Sequence, residues 1–217
     1  MRGLFITMEG LDGCGKSTQL ERLAGALGAR GLDVLVTREP GGTPLGEGVR
    51  DLLTSDASNH IVPLAELFLI VGARAQHVAE RVRPALASGH VVISDRYTDS
   101  SVAFQGYGRG LDLGLIETIN AAATGGLRPD LTIVLDLEPE QAQARMSPRP
   151  LGGLLGALDV EKLEFHVRVR RGYLDLAATH TDRIRVVQAA GTTDETHAGV
   201  LEVVLPLIEK EAGSRKP

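Results

Sequence analysis

Cysteine is almost missing from this chain. Cys14 is the only one, and there is no tryptophan. A single thiol excludes an internal disulfide and a cysteine-cage metal site, and fits a reducing compartment. Long apolar runs are missing as well. Nothing approaches the roughly 18 consecutive apolar residues that span a bilayer, and the apolar opening Met1–Met8 is too short for a signal peptide and runs straight into a glycine loop. The expected location is cytoplasmic, with no membrane partner. Positive charge is in the minority: 23 Lys and Arg stand against 28 Asp and Glu, a formal net charge of −5. That balance argues against a nucleic-acid partner, although local basic clusters can still bind phosphates. The six histidines, His60, His77, His90, His166, His180 and His197, lack metal-ligand spacing and read as structural or solvated. No repeat, low-complexity tract or linker interrupts the 217 residues, so residues 1–217 are expected to form one domain.

Five short runs rich in β-branched residues recur: Leu4–Met8, Val34–Thr37, Val91–Ser94, Leu131–Leu137 and Ile184–Val187. Stretches with helical spacing separate them. Leu20, Leu23 and Leu27 fall on one helical face, and Leu64 to Arg83 reads as a longer helix stopped by Pro84. Strands alternating with helices predict an α/β fold, a five-stranded parallel sheet covered on both faces. Ser147–Gly156 holds two prolines and three glycines. It is expected to be a loop, and beside a phosphate site such a loop is a candidate lid that excludes water.

Gly10-Leu-Asp-Gly-Cys-Gly-Lys-Ser17 matches G-x-x-x-x-G-K-[ST] between a predicted strand and a predicted helix, the context that confirms a P-loop. Its glycines let the backbone curl so that N–H groups converge on phosphate oxygens, reinforced by the helix N-terminus. Lys16 should reach the β- and γ-phosphates, and the Ser17 hydroxyl should ligate Mg²⁺. Cys14 lies inside the loop as a small residue that fits the curve, with no catalytic role. The motif alone leaves kinases, GTPases, ATPase motors and sulfotransferase-like proteins open. The absence of an Asn-Lys-x-Asp tetrapeptide counts against a GTPase, and the length counts against a motor.

Four further segments narrow the choice. Thr37-Arg-Glu-Pro-Gly-Gly-Thr43 follows the second predicted strand, with Leu45–Arg50 after it. Arg74 stands on the long helix, Ser94-Asp-Arg-Tyr97 ends the third strand, and Ser100–Gly106 follows. Strand ends in an open parallel sheet point at the ligand crevice, so Arg38, Glu39, Asp95 and Arg96 are expected to converge beside the P-loop. Arginine forks suit phosphate, and two of them there suggest a second, phosphorylated substrate.

Together, Asp12 in the P-loop, Arg-Glu-Pro-Gly-Gly-Thr, Ser-Asp-Arg-Tyr and Ser-Ser-x-Ala-Phe-Gln-Gly resemble the thymidylate kinase family of bacterial type. The likeness covers roughly residues 3–145 strongly, and the rest weakly through Leu163–Tyr173. It implies a P-loop kinase fold with a lid near residues 145–158, transfer of the γ-phosphoryl of ATP to dTMP with Mg²⁺, and a homodimer. It implies an ATP site of Gly10, Leu11, Asp12, Gly13, Cys14, Gly15, Lys16, Ser17, Thr18 and Arg145, the last packed on adenine beside the loop after Val187. It implies a dTMP site of Asp12, Arg38, Glu39, Pro40, Arg50, Ile70, Arg74, Arg96, Ser101, Phe104 and Gln105. Asp12 would contact the 3′-hydroxyl, Arg96 would hold the dTMP phosphate, and Arg74, Ser101 and Gln105 would read the thymine edge. Asp95 would help place Mg²⁺ through water, with Ser17. Lys16, Arg96, Asp12 and Arg149 would serve catalysis, Arg149 as the transition-state cation.

The chain departs from the family at three places. Ile70 stands where phenylalanine usually stacks on thymine; Phe68 is about 200° away on a helix and should face elsewhere. Phe104 takes a position usually held by tyrosine, keeping the steric bar to a 2′-hydroxyl. The lid has Arg145 and Arg149 where members without a basic P-loop residue usually carry several arginines. Another nucleoside monophosphate kinase, or a nucleotide-binding protein without turnover, are the alternative readings.

Overall fold

The computed structural model describes residues 3–55, 60–146 and 163–213. The apolar runs form the strands β1 (Leu4–Gly10), β2 (Val34–Arg38), β3 (Val91–Asp95), β4 (Leu131–Asp136) and β5 (Ile184–Gln188), one parallel sheet in the order β2-β3-β1-β4-β5. β1 and β4 are buried along their whole length, as strands covered on both faces must be. β1 lies between β3 and β4, so the chain departs from it in both directions across the sheet and opens a crevice beyond its carboxyl end.

Each strand feeds a helix. α1 (Lys16–Gly28) buries the stripe Leu20, Leu23 and Leu27 against the sheet. α2 (Pro44–Thr54) starts at Thr43, whose side chain accepts from the Gly46 N–H, with proline at the first helical turn. α3 (Pro63–His77) does not end where Pro84 predicts. It passes through a π-turn, Val78–Val82, into α4 (Arg83–Ala87). The Arg83 N–H bonds the Val78 carbonyl five residues back, and Pro84 falls in the first turn of α4, where its missing N–H leaves no gap.

After β3, α5 (Thr98–Ser101) runs directly into a second π-helical stretch, Val102–Gly108. α6 (Leu113–Thr124) is capped by the Asp112 carboxylate at Leu115 N–H and closed by Gly125 in the left-handed region. α7 (Pro139–Met146) follows β4, and α8 (Leu163–Thr179) packs on the second π-helical stretch. α9 (Thr193–Gly213) opens with a capping box: Thr192 Oγ1 accepts from Glu195 N–H, and the Glu195 carboxylate accepts from Thr192 N–H. No helix among the described residues is long and apolar enough to cross a membrane.

Candidate active site

The glycine loop joins β1 to α1. Gly13 and Gly15 hold φ of 83° and 98°, values a side chain would strain, and this lets the loop's N–H groups curl around one point. Residues 12–19 line a cavity with Asp95, Arg145 and the segment Gly191–Thr193. Lys16 Nζ donates to the carbonyls of Leu11 (2.9 Å) and Gly10 (3.3 Å) and lies 3.6 Å from Asp12. Gly10 and Leu11, expected in the ATP site, do not line this cavity; they meet it through those two carbonyls. Cys14 is buried, and burial raises its thiol pKa, the opposite of an activated cysteine. Arg145 donates to the Ala189 carbonyl (2.9 Å), which fixes it beside the loop after Val187.

Among the described residues there is no cluster of three His, Cys, Asp or Glu that would cage a metal. Asp95 Oδ1, however, is buried without a hydrogen-bond partner on the same cavity as Ser17. One hydroxyl and one unpaired carboxylate oxygen beside a phosphate nest suit Mg²⁺, which keeps most of its ligands as waters and substrate oxygens.

A second, less polar cavity adjoins the first. Asp12, Glu39, Arg50 and Arg96 line both and form the junction between them. Arg96 carries a φ of 72°, the only positive value at a non-glycine residue among those described. Such a conformation costs on the order of 1–3 kcal/mol and persists only where contacts over-determine it. Here they do. Arg96 Nη2 donates to Asp12 (2.6 Å), Nη1 donates to Ser100 (3.1 Å) and Tyr173 (3.0 Å), and the guanidinium lies 4.6 Å over the Phe104 ring. These bonds leave N–H groups on Nε and Nη2 for a ligand. Burial alone would raise the Asp12 pKa, but Arg96 and Lys16 outweigh it and hold the carboxyl well below its usual range.

Behind Arg96 sits Glu9, fully buried at the end of β1. Its carboxylate accepts from Ser100 Oγ (2.5 Å), Tyr173 Oη (2.9 Å) and the Tyr97 N–H (2.8 Å). Burial, with the nearby Asp99 charge, pushes its pKa up to about 7 despite Arg96 and the two hydroxyls. Arg50 also faces the junction: its Nε is buried without a partner, and burial lowers its pKa.

The far end of the second cavity is lined by Ile70, Arg74, Ser101, Phe104, Gln105 and Glu66. Arg74 is buried and almost fully engaged. It donates to Glu39 (2.6 Å), Ser101 (2.9 Å), Asn120 (2.6 Å) and the Tyr97 carbonyl (2.9 Å), leaving one N–H on Nη2. Glu39 accepts in addition from His77 Nδ1 (2.8 Å), whose Nε2 meets the Thr37 hydroxyl (2.7 Å). Ile70 faces the cavity, whereas Phe68 is 54% exposed.

Arg38 is the exception to the predicted convergence. Successive side chains of a strand end point to opposite sides, so Glu39 enters the junction and Arg38 turns out, half-exposed and paired with Glu47 on α2 (2.7 Å). It borders a shallower neighbouring cleft with Ser17 and Asp95, and lines neither of the two main cavities. Arg149 and the proposed lid beyond Met146 lie outside the described residues. Sequence reasoning missed Glu9, Ser100 and Tyr173, the bracket around Arg96. Glu9 had a signal, a charged residue in a run otherwise fit for a buried strand. The same reasoning expected the loop after Val187 beside the adenine but did not name Thr192 and Thr193 there, although Thr192-x-x-Glu195 is a readable capping box.

A phosphate nest opening onto a second cavity, with arginines at the shared wall, defines a P-loop kinase that brings two phosphorylated substrates together. A family model described as "Thymidylate kinase" matches residues 8–200. The thymidylate kinase of Solidesulfovibrio magneticus is 48% identical over 209 residues, covering 94% of this chain and 100% of that protein. That of Cereibacter sphaeroides is 48% identical over 209 residues, covering 95% and 96%. The solved structure of thymidylate kinase from Ehrlichia chaffeensis superposes with a TM-score of 0.74 at 32% identity, covering 94% of this chain and 99% of that one. The chain belongs to the thymidylate kinase family.

Proposed function

We propose that this chain phosphorylates dTMP to dTDP with ATP and Mg²⁺, by direct in-line transfer. The observation that carries the reading is the junction: two cavities of nucleotide character share one wall, formed by Asp12, Glu39, Arg50 and Arg96. ATP takes the P-loop cavity, with its phosphates on the N–H groups of residues 13–18 and its adenine between Arg145 and the Gly191–Thr193 loop. dTMP takes the second cavity, phosphate toward the junction and base toward Ile70.

The chain's own residues then supply position and charge. Lys16 leaves its two loop carbonyls and turns to the β- and γ-phosphates, stronger acceptors than neutral carbonyls. Arg96, rigidly bracketed, presents its free N–H groups to the dTMP phosphate so that an oxygen attacks γ-phosphorus in line, while the bond to the ADP oxygen breaks. Arg50 adds a second cation on the same wall. Mg²⁺, when bound near Ser17 and Asp95, would neutralise charge on the β- and γ-phosphate oxygens. No covalent intermediate is needed. Phe104, beneath Arg96, lies where a ring would press on the sugar. Arg74, with its one remaining N–H, meets the O4 of thymine.

The reading includes one domain over residues 1–217, a cytoplasmic location and a homodimer. The last gains support from Val62, Leu64 and Phe68, exposed apolar residues at the start of α3. Phe68→Glu should shift a dimer toward monomer in light scattering, and a wild-type monomer would remove that part of the reading.

The test of the activity is a coupled ADP-release assay with ATP, Mg²⁺ and dTMP, dUMP, UMP, CMP, AMP or GMP, on the wild type and Arg96→Ala. Turnover should be strongest with dTMP and lost in the variant. Preference for another monophosphate would move the assignment to that kinase, and no turnover with any would leave a binding protein.

A further inference from the structure

We infer that Glu66 sets the pyrimidine specificity of the second cavity by fixing which face of the Gln105 amide the base meets. This rests on the functional reading above. Glu66 and Gln105 are both buried, on α3 and on the second π-helical stretch, and both line the base end of the cavity. Gln105 Nε2 donates to Glu66 Oε1 at 2.7 Å, and Arg109 Nη2 donates to Glu66 Oε2 at 3.2 Å. An ionised carboxylate only accepts, so Glu66 forces the Gln105 amide to turn its NH₂ inward. The reverse orientation would set carbonyl oxygen against carboxylate oxygen in a buried site, an unpaired polar contact of the costly kind. Arg109 fastens the carboxylate in turn, its guanidinium 4.9 Å from the Phe165 ring.

The bond to Glu66 uses one of the two amide N–H groups and turns the carbonyl Oε1 away from Glu66, so Oε1 is the acceptor that Gln105 offers the base. That atom suits a pyrimidine bearing an N3–H, as thymine and uracil do. It opposes cytosine, whose N3 is itself an acceptor. Arg74, a donor, suits the O4 of the same two bases and opposes the N4 amino group of cytosine. The two side chains therefore read one edge with a fixed acceptor and a fixed donor. Glu66 acts through Gln105 and is a positioning residue.

Glu66→Gln is the discriminating variant, because a glutamine can accept from or donate to Gln105 and so permits the amide to flip. The ratio of kcat/KM for dTMP over dCMP should fall about tenfold or more, with dCMP turnover rising in absolute terms. The dTMP over dUMP ratio should hold, since those bases share the edge. A structural defect alone would lower all three substrates together, and an unchanged dTMP over dCMP ratio overturns the inference. A wild-type measurement tests it independently of how that variant folds. The side-chain amide protons of Gln105, assigned by their loss in Gln105→Leu, should be protected from solvent exchange with and without dTMP. Rapid exchange in the free enzyme overturns the inference as well. Absence of dTMP turnover by the wild type would instead defeat the functional reading itself.

Discussion

The two cavities are built by opposite means. The floor of the P-loop cavity is built largely from backbone: a turn of glycines and the open end of α1, with the buried Lys16 held on two loop carbonyls beside Asp12. The second cavity is built from side chains gathered from distant parts of the chain, several of them, Arg74, Glu39, Gln105 and Glu66, already bonded to one another or to neighbours. Arg74 alone joins α3 to the end of β2, to α5 and to α6. A backbone nest takes phosphate on almost any nucleotide. A network of partnered side chains has few free donors, and their directions are fixed, so it can select one base and sugar. The difference also divides the energetics. Changes in the second cavity should disturb the fold as well as the chemistry, whereas truncation of a non-glycine side chain of the loop that carries no phosphate role should disturb little.

The sharpest way to break that contrast is Arg74→Met. The side chains of Arg74 and Glu39 are 1% and 3% exposed, so the variant strands a buried carboxylate with His77 as its remaining partner. Removing one member of a buried pair costs about 3–5 kcal/mol, and urea denaturation should show a loss of that size. A loss below about 1 kcal/mol would mean the network does not hold the cavity together.

Arg96 tests the shared wall, where the two modes meet. Arg96→Ala should lower kcat by about 10²–10³, the usual effect of deleting one electrostatic donor to a transition state. Arg96→Gly should lose the same turnover yet be more stable than the alanine variant by about 1 kcal/mol, because glycine accepts the 72° φ without strain. Equal stabilities would show that the left-handed backbone there carries no cost.

How far this was legible in the sequence follows the same division. The P-loop could be read directly because a nest is local: glycines at fixed spacing, then lysine and serine. The five strands were readable from β-branched runs and alternation, but their order in the sheet was not. Arg74's partners were not, because Glu39, Tyr97, Ser101 and Asn120 come together only through the fold. Nor was the separation of Arg38 from Glu39, which one step along an extended backbone decides. Pro84 misled for a local reason. A π-turn just before it let the helix run on, and no composition signal marks such a turn.

Glu9 links the junction to pH. Its folded pKa of about 7 stands above the ordinary 4.5, so the folded protein holds a proton that the unfolded chain gives up between those values. Stability is therefore lost as pH rises through that window, by about 3 kcal/mol when each unit is worth 1.36. The groups facing Glu9 are Asp99, which raises its pKa, and Arg96, Ser100 and Tyr173, which lower it. Glu9→Gln should flatten the slope between pH 4.5 and 7 in a series of urea melts, and an unaltered slope would place the titration elsewhere.

The smallest effect belongs to Cys14, and its smallness is the point. Among the described residues it is the only thiol, it is 1% exposed, and burial raises its pKa. The loop at Cys14 should therefore work through its backbone N–H and not through the thiol. Cys14→Ala removes one sulfur from the packed underside of the loop and should cost about 1 kcal/mol or less, leaving kcat within about twofold. The native wild type should resist a thiol reagent at pH 8 until unfolded in urea, because the reactive thiolate is both scarce and covered. Fast labelling with loss of activity, or a large fall in kcat for the alanine variant, would show that the Cys14 side chain takes part in a site where Lys16 and Ser17 are the loop side chains assigned to the phosphates and the metal.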